Sequence, residues 1–275
     1  MPNTTCKLLI SDLDGTLLFT EGKERVFRES DIGAIREFQN KGNLLVVNSG
    51  RTVSWLTKPL ENHIDWDYLI ASTGALIIGK RRSGGEIQQG ISEANDKAHE
   101  AEAYDVIVSH PMEKEHIQNL LDQMEDSSRI VFQTLHQVYS MKPNPAYALA
   151  MVPVKDLSEV QEDIFGVSAH FETVEEAGEF VAWLEQQRIT SITGYQNKND
   201  VDMVAAGCSK GTGIEELRDY LHIPKENCFA IGDSYNDMEM LKAVQHSYTF
   251  HDAVEEVKAH AEHLVDSVAE MIGRI

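Results

Sequence analysis

Asp12 and Asp14 stand at the end of an apolar run, Leu8-Leu9-Ile10, with Gly15 directly behind them. A short unbroken apolar run is the pattern of a strand buried on both faces. In open α/β sheets, ligands bind outside the carboxyl ends of the strands. Two carboxylates delivered there, beside a glycine turn, can therefore form a site. The same Asp-Gly-Thr is also ordinary turn chemistry. A D-x-D-x-D-G calcium loop does not fit, because the fifth and sixth positions counted from Asp12 are Thr16 and Leu17.

Three further places carry groups of the same kind. Asn43-Leu-Leu-Val-Val47 runs into Ser49, Gly50 and Arg51, and Asn227-Cys-Phe-Ala-Ile231 runs into Asp233, Asn236 and Asp237. Lys210 lies shortly after Asp200–Ala205 and ahead of a helix with Ile214, Leu217 and Leu221 on one face. Strand, helix, strand implies a parallel sheet with right-handed crossovers, which puts Ser49 on the sheet edge of Asp12. The carboxylates of Asp12, Asp14, Asp233 and Asp237 repel one another there unless a cation joins them. Oxygen donors without His or Cys select a hard ion, and Mg²⁺ is the best match. A hydroxyl (Ser49) and an ammonium (Lys210) beside that ion make a cradle for a phosphate.

The elements that must position these groups read as an α/β chain. Residues 1–84 and 200–275 are expected to form a Rossmann-like parallel-sheet core, and 85–199 an inserted α+β cap. In the first part, Glu21–Arg28 reads as a polar loop. A helix starts at Ser30-Asp31, carries Ile32, Ile35 and Phe38, and stops at Gly42. A short helix over Val53–Leu60 stops around Pro59, Tyr68–Ala71 is a strand, and Leu76–Ile78 begins a hairpin returning through Ser83–Gly85. In the inserted part, Tyr104–Val108, Arg129–Leu135, Val138–Met141, Tyr147–Val152 and Val167–Phe171 read as strands. Glu113–Met124 is an amphipathic helix with Ile117, Leu120, Leu121 and Met124 on one face. Asp156–Ile164 reads as another. A capping-box spacing at Thr173 and Glu176 opens a third, with Ala177, Phe180, Val181 and Leu184 inward. Near the end, Ser247–Phe250 reads as a strand and Ala253–Ala261 as a helix.

Bulk properties narrow the partners. The chain has 275 residues, 42% hydrophobic and 25% charged, a globular balance with enough length for a sizeable core. A net charge of −21 repels nucleic acid and anionic membranes, so neither is an expected partner. It also repels a phosphorylated ligand, so a phosphate site must bring its own Lys, Arg or metal. Cys6, Cys208 and Cys228 form no C-x-x-C, which fits neither a disulfide framework nor a zinc site and suits a reducing cytoplasm. The start, Met-Pro-Asn-Thr-Thr-Cys, lacks the basic segment of a signal peptide. No apolar run approaches the ~20 residues that span a bilayer.

Taken together and in order, Asp12-x-Asp14-Gly-Thr, Ser49-Gly50-Arg51, Lys210-Gly and Gly-Asp233-x-x-Asn236-Asp237 resemble the four motifs of the haloacid dehalogenase superfamily. The insertion between the second and third resembles, in position, size and strand-helix character, the type IIB cap of the Cof-like phosphatases. The resemblance implies a Mg²⁺-dependent phosphatase of small phosphorylated metabolites, sugar phosphates foremost, working through an aspartyl-phosphate. Asp12 would be the nucleophile, and Asp14 the general acid and then the base. Asp12, Asp14 (by its backbone carbonyl) and Asp233 would hold the metal, with Asp237 in support. Ser49, Gly50, Lys210 and Asn236 would bind phosphoryl oxygens. The chemistry is apt, because phosphate-monoester hydrolysis is among the slowest uncatalysed reactions and a covalent intermediate divides it into two easier steps.

The sequence departs from its relatives at three points: Ser49 stands for the commoner Thr, Thr73-Gly-Ala for Asn-Gly-Ala, and Phe250-His-Asp-Ala253 where Asn-Ala is usual. Rival readings are a phosphomutase on phosphosugars, with the same core and cap type, and a non-catalytic phosphometabolite-binding protein, against which the complete aspartate and lysine set counts. A receiver domain has no need of Asp14 or of a cap. A monomer or small homo-oligomer is expected. The 11 histidines show no ligand spacing, Tyr139, Tyr147 and Tyr195 read as packing, and Arg81-Arg82 reads as a solvated hinge.

Overall fold

The computed structural model describes residues 6–81, 104–143, 150–187 and 189–275. In chain order the elements are β1 (Leu8–Ser11), β2 (Leu18–Glu21), β3 (Glu24–Phe27), α1 (Glu29–Asn40), β4 (Leu44–Asn48), α2 (Val53–Leu60), β5 (Tyr68–Ala71), β6 (Leu76–Lys80), β7 (Tyr104–Ser109), α3 (Lys114–Gln123), β8 (Ile130–Thr134), β9 (Val138–Ser140), β10 (Val152–Pro153), β11 (Ile164–His170), α4 (Val174–Gln186), β12 (Ile192–Asn197) and β13 (Asp200–Ala205). The chain ends with α5 (Lys210–Leu221), β14 (Cys228–Ile231), α6 (Met238–Ala243), β15 (His246–Phe250), α7 (Glu255–Lys258), β16 (His263–Val265) and α8 (Val268–Gly273).

An eight-stranded sheet has the order β16-β15-β14-β1-β4-β5-β6-β7, parallel from β16 to β5 and antiparallel over the last two strands. The apolar runs of β1, β4 and β14 are buried because helices cover both faces. Leu9, Leu45 and Leu69 pack beside Ile35 and Phe38 of α1, Leu56 of α2 and Met271 of α8. The alternate residues Leu8, Ile10, Val46 and Ile70 pack beside Ile214 and Leu217 of α5 and Met240 of α6. A period of two thus serves two helical layers at once.

A six-stranded sheet, β10-β9-β8-β11-β13-β12, stands apart in topology. One face carries Ile130, Phe132, Val167, Ala169, Val201 and Met203, buried under Ile117 and Leu120 of α3 and Ala177 and Leu184 of α4. This is the helix-on-one-face module expected from the sequence. Its borders differ from the expected 85 and 200 by sheet membership. Strand β7 joins the eight-stranded sheet beside β6, and β13 belongs to the six-stranded one.

Local departures have physical causes. Glu21–Arg28 is no loop: β2 and β3 pair with Leu18 opposite Phe27 and Phe19 opposite Val26. Gly22, at φ 64°, opens the two-residue turn, which is the conformation tight hairpins demand. Asp156–Ile164 is not a helix. The Asp156 carboxylate accepts from the Ser158 backbone N at 2.8 Å, closing a short turn, and Ile164 already starts β11. Of Ala253–Ala261 only Glu255–Lys258 is helical, and the edge strand β16 and then α8 follow that stretch. Pro59 lies within the last turn of α2. The expected return through Ser83–Gly85 lies outside the described residues, as does the first half of the expected Tyr147–Val152 strand. All three cysteines are free and buried. No helix among the described residues is long and apolar enough to cross a membrane.

Phe132 is fully buried in the six-stranded sheet. Phe132→Ala is expected to cost about 3–5 kcal/mol, read as a drop in the midpoint of chemical unfolding. A loss below 1 kcal/mol would mean that this face is not packed as described.

Candidate active site

The groups singled out in the sequence meet along one edge of the eight-stranded sheet. Asp12 follows β1, its N–H donating to the Ile231 carbonyl at 3.0 Å. Ser49 and Gly50 follow β4, whose Asn48 side chain donates to the Lys210 carbonyl at 2.9 Å and so ties this loop to the start of α5. Ser209 caps α5 by accepting from the Thr212 N at 2.9 Å, and Lys210 is the first helical residue. After β14, the Asp237 carboxylate accepts from the backbone N–H groups of Asp233 and Ser234, both at 2.9 Å, and folds the turn back on itself. Two glycines permit the closeness. A Cβ on Gly15, which has φ 96°, would lie 2.5 Å from Asp233 Oδ2, and one on Gly232 would lie 2.4 Å from Asp237 Cγ.

Lys210 is the electrostatic centre. Its Nζ donates to Asp12 Oδ1 and to Asp237 Oδ1, each at 2.6 Å, with its side chain fully buried. Burial pushes the Asp12 carboxyl up to about 7, against the pull of Lys210 and with the added push of Asp237 and Asp14. Burial, then Asp12, pushes Asp233 up to about 6 despite Lys198 and the Thr16 hydroxyl. Asp237 is likewise raised by burial. Burial acts to lower the Lys210 ammonium, but Asp12 and Asp237 outweigh it and the net direction is upward.

The carboxylate oxygens of Asp12, Asp233 and Asp237 lie within 4.8 Å of one another. Three carboxylates against one ammonium leave excess negative charge in a dry place, and every donor is oxygen. These residues fit a hard divalent ion. The Asp14 carboxylate is turned elsewhere. Arg51 grips it with two donors, Nε to Oδ2 at 2.6 Å and Nη2 to Oδ1 at 2.7 Å, and Arg25 from β3 also reaches it. Asn236 is buried in the turn between Asp233 and Asp237.

A cleft of about 850 Å³ opens in front of Asp12, Asp14, Ser49 and Gly50, and the six-stranded sheet forms its far wall. Ser72 donates to Gln133 Oε1 at 2.9 Å, Gln133 donates to the Ser168 hydroxyl at 2.7 Å, and Ser168 donates to Asp202 Oδ1 at 2.6 Å. Asp202 presses on the loop that follows β4: a Cβ on Gly50 would lie 2.2 Å from its Oδ2. Burial pushes the Asp202 carboxyl up to about 7. Beneath it, Ser72, Thr73 and Gly74 run at φ 45°, 51° and 93°. Thr73 therefore holds a left-handed backbone that Asn adopts more readily, and its hydroxyl is buried without a hydrogen-bond partner.

Sequence reasoning passed over Arg25, Thr16 and Asp202, and gave Arg51 no role. Arg51 could have been found, since it follows Ser49-Gly50 directly. The other three are visible only through contacts distant in sequence.

The haloacid dehalogenase-like hydrolase family matches residues 9–273. The chain is 22% identical over 262 residues to a 5-amino-6-(5-phospho-D-ribitylamino)uracil phosphatase, YcsE of Bacillus subtilis, covering 95% of this chain and 90% of that protein. It is 24% identical over 283 residues to the phosphatase YwpJ of Bacillus subtilis, covering 93% of each. Among solved structures, the subclass IIB sugar phosphatase BT4131 superposes with a TM-score of 0.72 at 21% identity, over 96% of this chain and 95% of that one.

Two measurements check the electrostatics. The Asp12 and Asp202 carboxyls sit near 7 when folded, above their ordinary 3.8, so the folded state binds more protons than the unfolded. Their contribution to stability is complete below about pH 4 and is lost as pH rises through about 7. Without metal, stability should fall across that window, and Asp202→Asn should flatten the fall. An unchanged slope in the variant would show that Asp202 ionises normally. Mg²⁺ at about 100 times its Kd should stabilise the protein by about 2.7 kcal/mol, an increment that Asp233→Asn removes.

Proposed function

Because the chain belongs to the haloacid dehalogenase-like hydrolase family, we propose that it is a Mg²⁺-dependent phosphatase of small phosphorylated metabolites, with sugar phosphates the leading class. The observation that carries this reading is the buried Asp12–Lys210–Asp237 chain beside Asp233, at the floor of a cleft large enough for a metabolite. The phosphatase names of the Bacillus relatives support it, as does the sugar phosphatase whose fold this chain shares.

In this reading an oxygen of the Asp12 carboxylate attacks phosphorus, and the ester P–O bond breaks. The departing alkoxide takes a proton from Asp14. Asp14 then accepts a proton from water as that water attacks the phosphoryl-aspartate, which releases inorganic phosphate and restores Asp12. Lys210 holds Asp12 aligned and favours its anionic form against the push of burial. Ser49, the Gly50 backbone and Asn236 bind phosphoryl oxygens with Lys210. Arg51 grips Asp14 in the free protein, and the reaction needs Asp14 released from that grip to face the leaving oxygen. Mg²⁺ held by Asp12, the Asp14 backbone carbonyl and Asp233, with Asp237 in support, would neutralise charge on the phosphoryl oxygens. The reading also includes a cytoplasmic setting and a monomer or small homo-oligomer.

Phosphate release from a panel of phosphorylated metabolites, with Mg²⁺ and with EDTA, tests it. Asp12→Asn should lower kcat on the order of 10³-fold or more with the fold intact, and near-wild-type turnover would remove Asp12 as nucleophile. Phosphoryl transfer between substrates without net release would make the protein a mutase. Asp14→Asn should slow alkyl esters by roughly 10²–10⁴-fold and p-nitrophenyl phosphate far less, because nitrophenolate leaves without a proton. Equal slowing of both would refute the acid role.

A further inference from the structure

The cleft reverses the charge of the molecule. Among the described residues, six of the chain's 24 Lys and Arg line it, against four of its 45 Asp and Glu. Most of the charges near the phosphoryl edge are taken: Arg25 and Arg51 by Asp14, Lys198 by Asp233 at 3.6 Å, and His170 by Asp200 at 2.8 Å. Lys58 is left, and Arg129 and Lys142 share only the exposed carboxylate of Asp126 among the described residues. Arg129 lies over the Phe171 ring and reaches a carboxylate only at 3.8 Å, on Asp126. Lys58 forms no ion pair among the described residues.

The strand register places two of these cations together. Arg129 closes the short turn just before β8 and Lys142 follows β9, and because Val131 lies opposite Ser140 across these antiparallel strands, both cations stand at the same end of the pair. The same face, read at the period of two that governs strands, carries Val131 and Gln133 on β8 and Ser140 and Val138 on β9, and all of them line the cleft. Arg129 and Lys142 are therefore the outermost row of one wall. That wall meets the eight-stranded unit at several places, Thr52 on Thr134 and Lys198 on Asp233 among them, and two further contacts measure the distance to the corner. Gln133 accepts from Ser72 at 2.9 Å, and Asn197 accepts from the Ser234 hydroxyl at 3.3 Å. Arg129 is four residues out from Gln133, roughly 13 Å along the strand. Lys142 is four strands across from Asn197, roughly 19 Å. The corner is the part of the wall farthest from both contacts. Between it and Asp12 the lining is largely apolar, with Trp55 and Pro59 on one side and Val131, Val138 and Met151 on the other.

We propose that the corner formed by Arg129 and Lys142 is a subsite for a second anionic group on the substrate, a carboxylate or a phosphate, borne on an apolar body that runs along the cleft from the phosphoryl group that is cleaved. This rests on the phosphatase reading for the identity of the near end. It narrows the substrate class from any phosphomonoester to elongated ones with charge at both ends. Lys58, on α2 at the same cleft, adds positive potential from the opposite wall.

Non-hydrolysable phosphonates test it on the wild-type protein with Mg²⁺ by calorimetry. Hexylphosphonate is compared with 6-phosphonohexanoate and with hexane-1,6-bisphosphonate. The ω-anionic ligands should bind about 10-fold more tightly, and the stronger of the two tells carboxylate from phosphate. Lys142 is exposed, so Lys142→Gln should fold as the wild type does, and it should bring the ratio down toward one. Equal affinities in the wild type, or a ratio that neither Lys142→Gln nor Arg129→Gln reduces, would overturn the subsite. Turnover of the matching phosphate esters is read alongside. A binding preference without phosphate release upholds the subsite and tells against the phosphatase.

Discussion

The structure turns on an ammonium ion placed between two buried carboxylates. Lys210 reaches Asp12 and Asp237 at 2.6 Å each with no exposure of its own side chain. Taking such charges out of water costs several kcal/mol per ion unless geometry and further hydrogen bonds compensate. Here they do so partly. Asp237 also accepts two backbone N–H groups, and Asp233 accepts the Thr16 hydroxyl at 2.9 Å. The surplus negative charge that remains is a reason for a cation to bind, and it adds to the burial that pushes Asp12 and Asp233 up.

Much of the fold exists to hold that geometry. Three parallel strands, β1, β4 and β14, bring Asp12, Ser49 and Asp233 to one edge, and their alternating residues anchor helices on both faces. Gly74 lets its strained loop press on the start of α5, since a Cβ there would sit 2.0 Å from the Ser209 carbonyl oxygen. The loop, the cap at Ser209 and Asn48 together fix where Lys210 begins its helix, and hence where its ammonium ends.

The sequence was informative where a single residue type has few uses. A buried apolar run ending in paired Asp, or Gly-Asp followed by Asn-Asp after another such run, has little alternative meaning, and the parallel core and its edge were legible from these. Hairpin β2–β3 was not, because Glu21–Arg28 is polar apart from Val26 and Phe27, whose partners Phe19 and Leu18 lie before the stretch. The turn at Asp156 was misread as a helix because hydrophobic spacing fits both, and the choice falls to a carboxylate closing on Ser158. Strand β13 was read with the core because it leads to Lys210, yet its pairing with β11 and β12 is decided by the whole six-stranded sheet. Arg25, Thr16 and Asp202 act across separations that no local pattern encodes.

The six-stranded sheet has two faces with different duties, and Asp202 shows how they are reconciled. Val201 and Met203 point into the helical face, so Asp202 between them must point at the cleft, where Gly50 leaves no room for a side chain. A charged carboxylate so close to Asp14 and to an incoming phosphate would repel both. Burial answers this by pushing Asp202 up to about 7, and Ser168 supplies it with a partner. The chain from Asp202 through Ser168 and Gln133 to Ser72 then spans from one sheet to the other with its donors and acceptors matched. Near the reacting edge the other charges of this wall are paired, Lys198 with Asp233 and His170 with Asp200, and its excess positive charge lies at the outer end, at Arg129 and Lys142. A wall paired near the reacting edge and cationic far from it gives an elongated ligand one orientation, since reversing it would set its wrong end against Asp12.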